Sequence, residues 1–153
     1  MRQGFTLVEL LVVVAVLLLI AGAAIPIYGN LQVSSQLQES SAQLIATLRT
    51  AHVQSVARLN NANHGVYFEI NPGADHYILY QGTSYAARDA SYDRTTTLDE
   101  GITLAASLTG SSTDVNFSLG IGTPSATGTL TLTHAVSGIK TIVINSFSMV
   151  DGN

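Results

Sequence analysis

The chain of 153 residues has no cysteine, no tryptophan and only six lysine and arginine residues. Without thiols, disulfide stapling and thiolate metal sites are both excluded, so any folded domain must be stabilised by packing alone. Six cations against ten carboxylates give a formal net charge of −4. No basic run is present, and Lys140 alone cannot make the several phosphate contacts of a nucleic-acid footprint. Histidine is sparse: His52, His64, His76 and His134 show no His-x-x-x-His or His-Glu-x-x-His spacing, so no zinc signature is present. No Gly-x-Ser-x-Gly elbow surrounds a serine, and Gly120-Ile121-Gly122 lacks the following helix that phosphate cradling needs. Asp75, Asp89, Asp93 and Asp99 could meet around Ca²⁺, although scattered loop carboxylates are ordinarily just solvated. No catalytic residue, cofactor or metal site is expected.

What the chain has in excess is one apolar run. Residues 10–25 carry neither charge nor hydroxyl, and the apolar character extends over 5–27 with only Thr6 and Glu9 interrupting. As a helix that stretch would be roughly 35 Å long, enough to cross a ~30 Å hydrocarbon layer. Arg2 and the α-amine precede it, and a long polar region follows. The positive-inside bias therefore places Met1 in the cytoplasm and everything beyond Tyr28 on the far side. Glu9 lies inside the apolar stretch, where an ionised acid costs on the order of 2.5–3.5 kcal/mol. Such a residue calls for a partner. A secretory signal is cut after its apolar region, whereas here the small residue, Gly4, stands before it. A cut there would leave the hydrophobic helix on the mature protein.

Arg2-Gln3-Gly4-Phe5-Thr6-Leu7-Val8-Glu9-Leu10-Leu11 resembles the class III signal of type IV prepilins and type II secretion pseudopilins. The resemblance implies cleavage between Gly4 and Phe5 by a prepilin peptidase, N-methylation of the new terminal Phe5, and a role for Glu9 in filament packing. Removing Arg2 makes the net charge −5. Pro26 falls where such helices commonly bend, and proline removes an N–H and crowds the preceding turn. The Phe5 ammonium of one subunit and the Glu9 carboxylate of its neighbour could neutralise each other in an apolar core. A lone buried member of such a pair is costly. Thr6, Ala15, Ala21, Gly22, Ala23 and Ala24 are small enough to permit close helix approach.

From Leu31 the pattern becomes amphipathic. Leu37, Leu44, Ile45, Leu48, Val56 and Leu59, with Ala42 and Ala51, recur at three- and four-residue spacing. One nearly continuous helix from Phe5 to about Leu59 is expected, ended by Asn60-Asn61-Ala62-Asn63-His64-Gly65 with left-handed caps. His52 sits beside the apolar stripe, and His64 reads as a loop residue. Beyond Gly65 the period is two: strands at 66–70 and 76–80 flank a turn at 71–75. Residues 82–101 read as a charged surface loop with a short strand near 95–98. Strands follow at 102–104 and 115–119, then a flexible connection over 120–128, a hairpin of 129–134 with 139–145, and a short strand at 147–150. Tyr67, Tyr77, Tyr80, Tyr85 and Tyr92 would cover the helix or a subunit interface.

The expected fold is α+β, a long N-terminal helix (transmembrane half plus amphipathic half) packed on a C-terminal antiparallel β-sheet head. Its parts are a leader at 1–4, a transmembrane and assembly helix at 5–28, an amphipathic helix at 29–62 and the head at 63–153. Within the prepilin class the Arg- and Ala-bearing helix end, 48–58, and the Gly-spaced terminal hairpin look like the H-type pseudopilin and FimT-like branch. The absence of Cys departs from major type IVa pilins, and the lack of Trp and of a terminal acidic cluster departs from G-type pseudopilins. A tail without basic residues, 145–153, departs from DNA receptors. The resemblance thus implies a minor subunit of a type II secretion pseudopilus or type IV pilus, with a major pilin or a fibre-associated adhesin or DNA-uptake receptor as alternatives. It implies other pilin or pseudopilin subunits, the prepilin peptidase/methyltransferase, an inner-membrane assembly platform and the membrane itself as partners. Location would be the inner membrane as a single pass, then a periplasmic or extracellular filament.

Overall fold

The computed structural model describes residues 5–70, 75–147 and 150–152, without the side chains of 23–31 and 150–152. The turn expected at 71–75 falls mostly outside them. One helix dominates: α1, Leu7–Val56, is 50 residues long, about 75 Å at 1.5 Å per residue. It continues through Pro26 as a single element. Its end is abrupt, because Arg58, Asn60 and Asn61 all adopt φ of 53°. The two asparagines were legible as left-handed caps; Arg58 was not.

Among the described residues eight strands follow: β1 (His64–Glu69), β2 (His76–Gly82), β3 (Arg88–Thr97), β4 (Ile102–Leu108), β5 (Asp114–Phe117), β6 (Gly128–His134), β7 (Gly138–Ile144) and β8 (Val150–Gly152). They form two four-stranded antiparallel sheets, β3-β2-β1-β5 and β4-β6-β7-β8. The expected α+β architecture is what forms, with a helix on antiparallel sheet. The head divides into two sheets; β4 and β6 alternate as a half-buried strand should, whereas β2 buries four residues in a row. In β6, Leu130 and Leu132 are buried between more exposed threonines.

Both sheets and the helix share one core. From α1 come Leu37, Leu44, Leu48 and Ala51; from the first sheet Val66, Phe68, Tyr77, Val115 and Phe117; from the second Leu104, Leu130, Leu132, Ile142 and Ile144. The helical stripe is completed by serines: Ser40, Ser41 and Ser55 are buried. Val56, Leu59 and Ala42, read from the sequence as core positions, are exposed instead. Ser55 takes the place expected for Val56 because its hydroxyl has work there. It accepts from His64 N–H at 2.8 Å and donates to His64 C=O at 3.3 Å, tying the last helical turn to the first strand.

Three further expectations are corrected. Residues 88–97 form β3, a ten-residue edge strand, and not a loop; its largely exposed positions explain the missing apolar alternation. His64 belongs to β1 and is buried, since Ser55 satisfies its backbone. The connection after β5 is bonded down: Gly120 N–H reaches Ser55 C=O at 2.9 Å, and Pro124 bridges back to Phe117. At Gly122, with φ of +78°, an added Cβ would stand 2.5 Å from His52 Nε2 and 2.6 Å from Val56 Cγ2.

Candidate assembly segment

The start of α1 is apolar on every side and is packed against nothing among the described residues. Phe5 is 84% exposed, and Leu7 through Ile20 present large aliphatics around the whole circumference. A helix that is hydrophobic all round belongs in a protein core or in lipid. The helix face lining the described part of this segment is made by Leu7, Leu10, Leu11, Val14, Ala15 and Leu18. Thr6 and Glu9 are the only polar side chains in residues 5–22.

Those two are bonded to each other. Thr6 is the N-cap residue, extended at φ −79° and ψ 150°. Its hydroxyl accepts from Glu9 N–H at 3.2 Å. Glu9 Oε2 in return accepts from Thr6 N–H at 3.1 Å and from Thr6 Oγ1 at 2.9 Å. This reciprocal capping box satisfies backbone donors that the first turn would otherwise leave open. The Thr-x-x-Glu signature of such a cap is present in the sequence at residues 6–9. Oε1 of Glu9 makes no hydrogen bond among the described residues. Among the described residues the carboxylate thus keeps one oxygen unbonded on the apolar surface.

Of the other residues singled out from the sequence, Gly4 lies outside the described residues. Phe5 precedes the helix and is not part of it. Pro26 is within α1, and its side chain is among those not described.

Residues 1–25 match the prokaryotic N-terminal methylation motif. The match spans Gly4, Phe5 and Glu9 together, and it supports the prepilin and pseudopilin class. No curated protein and no solved structure matches the chain. Among the described residues no helix is long and apolar enough to cross a membrane. Residues 7–22 of α1 measure roughly 24 Å.

In the head, the candidate residues are dispersed. His52 packs edge-on against Phe117 with centroids 5.5 Å apart, and His76 Nε2 lies 3.0 Å from Glu69. His134 Nδ1 accepts from Val136 N–H. Burial holds the His64 imidazole below its ordinary pKa, opposed by the neighbouring Gln81 side chain and Ala62 backbone. The aspartates are separately engaged: Asp75 accepts from Leu104 N–H at 2.6 Å, Asp89 from Ser91, and Asp93 from Arg88. Among the described residues no group of three His, Asp or Glu is placed to hold a metal ion.

The tyrosines divide. Tyr77 and Tyr80 are buried, and burial raises both phenols, Tyr80 further through Asp114. Tyr67 and Tyr85 stack at 3.7 Å with Arg88 over the Tyr85 ring. Tyr92 is half exposed on β3.

Proposed function

We propose that this chain is a pilin-like filament subunit that assembles through its N-terminal helix. The observation that carries the reading is an unpacked, all-round apolar helix start holding a single carboxylate, Glu9, within a methylation motif. Residues 1–4 are the leader, cut by the prepilin peptidase between Gly4 and Phe5, after which Phe5 is methylated. Residues 5–28 cross the inner membrane once with the N-terminus cytoplasmic, then leave lipid for a bundle of like helices, bending at Pro26. Residues 29–62 form the amphipathic half that carries the head, 63–153. The finer assignment is a minor, H-type subunit of a type II secretion pseudopilus or of a type IV pilus, supported by the cysteine-free, Trp-free head.

Assembly exchanges one set of partners for another. Before it, the Thr6 hydroxyl and N–H occupy Glu9 Oε2. In the bundle the Phe5 ammonium of a neighbour approaches the carboxylate from outside its own helix, where Oε1 is free. An unpaired buried carboxylate would be penalised by several kcal/mol, so only the register that brings an ammonium to Glu9 is stable. Glu9→Ala is expected to be cleaved and methylated normally yet to be absent from sheared filaments. Filament incorporation of Glu9→Ala at the unmodified level would remove the pairing.

A further inference from the structure

We infer that the cleft between the end of α1 and the overhanging strand β3 is a binding site for an acidic saccharide unit. The cleft encloses about 160 Å³ and opens to solvent, room for roughly one sugar ring. One wall is Gln54 of α1 with Leu59 and Asn60 of the turn that follows it; the sheet wall is His64, Leu79, Tyr80, Gln81 and Arg94, with Tyr92 at the lip.

The strand is deformed at this place. Leu79 pairs with Arg94 and Gln81 with Asp89, so residues 90–93 stand opposite Tyr80 alone. A bulge ordinarily inserts one residue and re-aims a side chain; this one is larger and is braced. Arg88 Nε bonds Asp93 Oδ2 at 2.7 Å across it, and Asp89 Oδ1 accepts from Ser91 N–H and Oγ inside it. Tyr92 is thereby carried to the cleft lip, 49% exposed. The two walls are tied to each other at one end of the cleft, where Asn60 Nδ2 donates to Gln81 Oε1 at 2.7 Å.

The donor set selects the ligand. No carboxylate lines the cleft, in a chain whose net charge is −4. The Arg94 guanidinium makes no ion pair or hydrogen bond among the described residues, and a planar guanidinium suits a carboxylate. A site for a bare anion would present donors alone. Here the Gln54 amide, with the Asn60 Oδ1 and Gln81 Nε2 left over from the Asn60–Gln81 bond, offers donors and acceptors side by side, the complement of hydroxyl groups that both donate and accept. Leu59, Leu79 and the Tyr92 ring supply apolar surface for the C–H face of a sugar.

The test is titration of the isotope-labelled full chain in detergent micelles with trigalacturonic acid, followed by amide and side-chain NMR. Saturable shifts at Gln54, Gln81 and Arg94 are expected, with the neutral trisaccharide of galactose binding at least tenfold more weakly. Arg94→Gln and Tyr92→Ala, both at exposed positions, should each weaken the acidic ligand at least tenfold and leave shifts of core amides such as Leu130 unchanged. Equal binding of the neutral trisaccharide, or shifts confined to other surfaces, would overturn the site. So would acetate or inorganic phosphate reproducing the same shifts at the same concentrations, which would mark a plain anion site. The wild-type comparison of acidic with neutral sugar decides even where a variant fails to fold.

Discussion

Thr6 and Glu9 cap each other at the first turn of α1, the hydroxyl taking the Glu9 N–H and the carboxylate taking the Thr6 N–H and hydroxyl. One carboxylate therefore serves as the helix cap in the separate chain while its second oxygen stays open. A glutamate in an apolar segment needs partners at every stage, and the neighbouring threonine supplies the first of them.

Thr6→Val keeps the shape and removes the hydroxyl. The loss of an N-cap side chain costs about 1 kcal/mol, equivalent to a roughly fivefold change in local opening. Hydrogen exchange of the full chain in micelles should show the Glu9 amide losing about that much protection, with head amides unaffected. Unchanged exchange at Glu9 would mean that the hydroxyl is not its partner.

Gly65→Ala tests how the first sheet is closed. Tyr80 stands opposite Gly65 in the β1–β2 register, and a Cβ there would lie 2.6 Å from the Tyr80 ring and 2.8 Å from the Val115 carbonyl oxygen. That absence of a side chain lets Tyr80 OH reach Asp114 and Asn116 on β5. Overpacking of this kind costs about 1–3 kcal/mol. The head of Gly65→Ala should melt several degrees lower, since 1 kcal/mol is worth about 4–8 °C in a domain of 60–100 residues. A melting temperature within a degree of the wild type would show that Tyr80 is free to move aside.

His64 is expected to make the head acid-sensitive. Burial depresses its folded-state pKa below the ordinary 6.5, so the folded state resists a proton that the unfolded chain accepts. The stabilisation is complete above pH ~6.5 and is lost as pH falls from there toward the folded value. Melting temperature should decline from pH 7 to pH 5 in the wild type and decline less in His64→Gln. Identical slopes for the two proteins would place the acid sensitivity elsewhere.

How much of this was legible in the sequence follows from where each residue's signal comes from. The apolar run, the Glu9 spacing and the β6–β7 hairpin are local patterns, and 129–134 paired with 139–145 is within a residue of the observed strands. The helix end shows the limit. Val56 fits the apolar periodicity better than Ser55, but Ser55 is the buried residue because its hydroxyl answers the backbone of His64, nine positions on. Strand β3 escaped for a related reason. Arg88, Asp89, Asp93 and Arg94 look like a solvated loop, while its pairing with β2 rests on backbone bonds that leave its side chains exposed. The cleft it forms with α1 depends on that pairing and on the bulge, and neither has a local signature. Thr-x-x-Glu at 6–9 did have one, and its meaning as a cap required only that the helix be known to begin there.

The most direct measurement is intact mass with N-terminal sequencing of the protein taken from its native membrane. A chain that begins at N-methylated Phe5 is expected, lacking residues 1–4 and retaining the whole apolar helix. A chain still beginning at Met1, in cells whose prepilin peptidase is active, would contradict processing at Gly4 and with it the filament-subunit function.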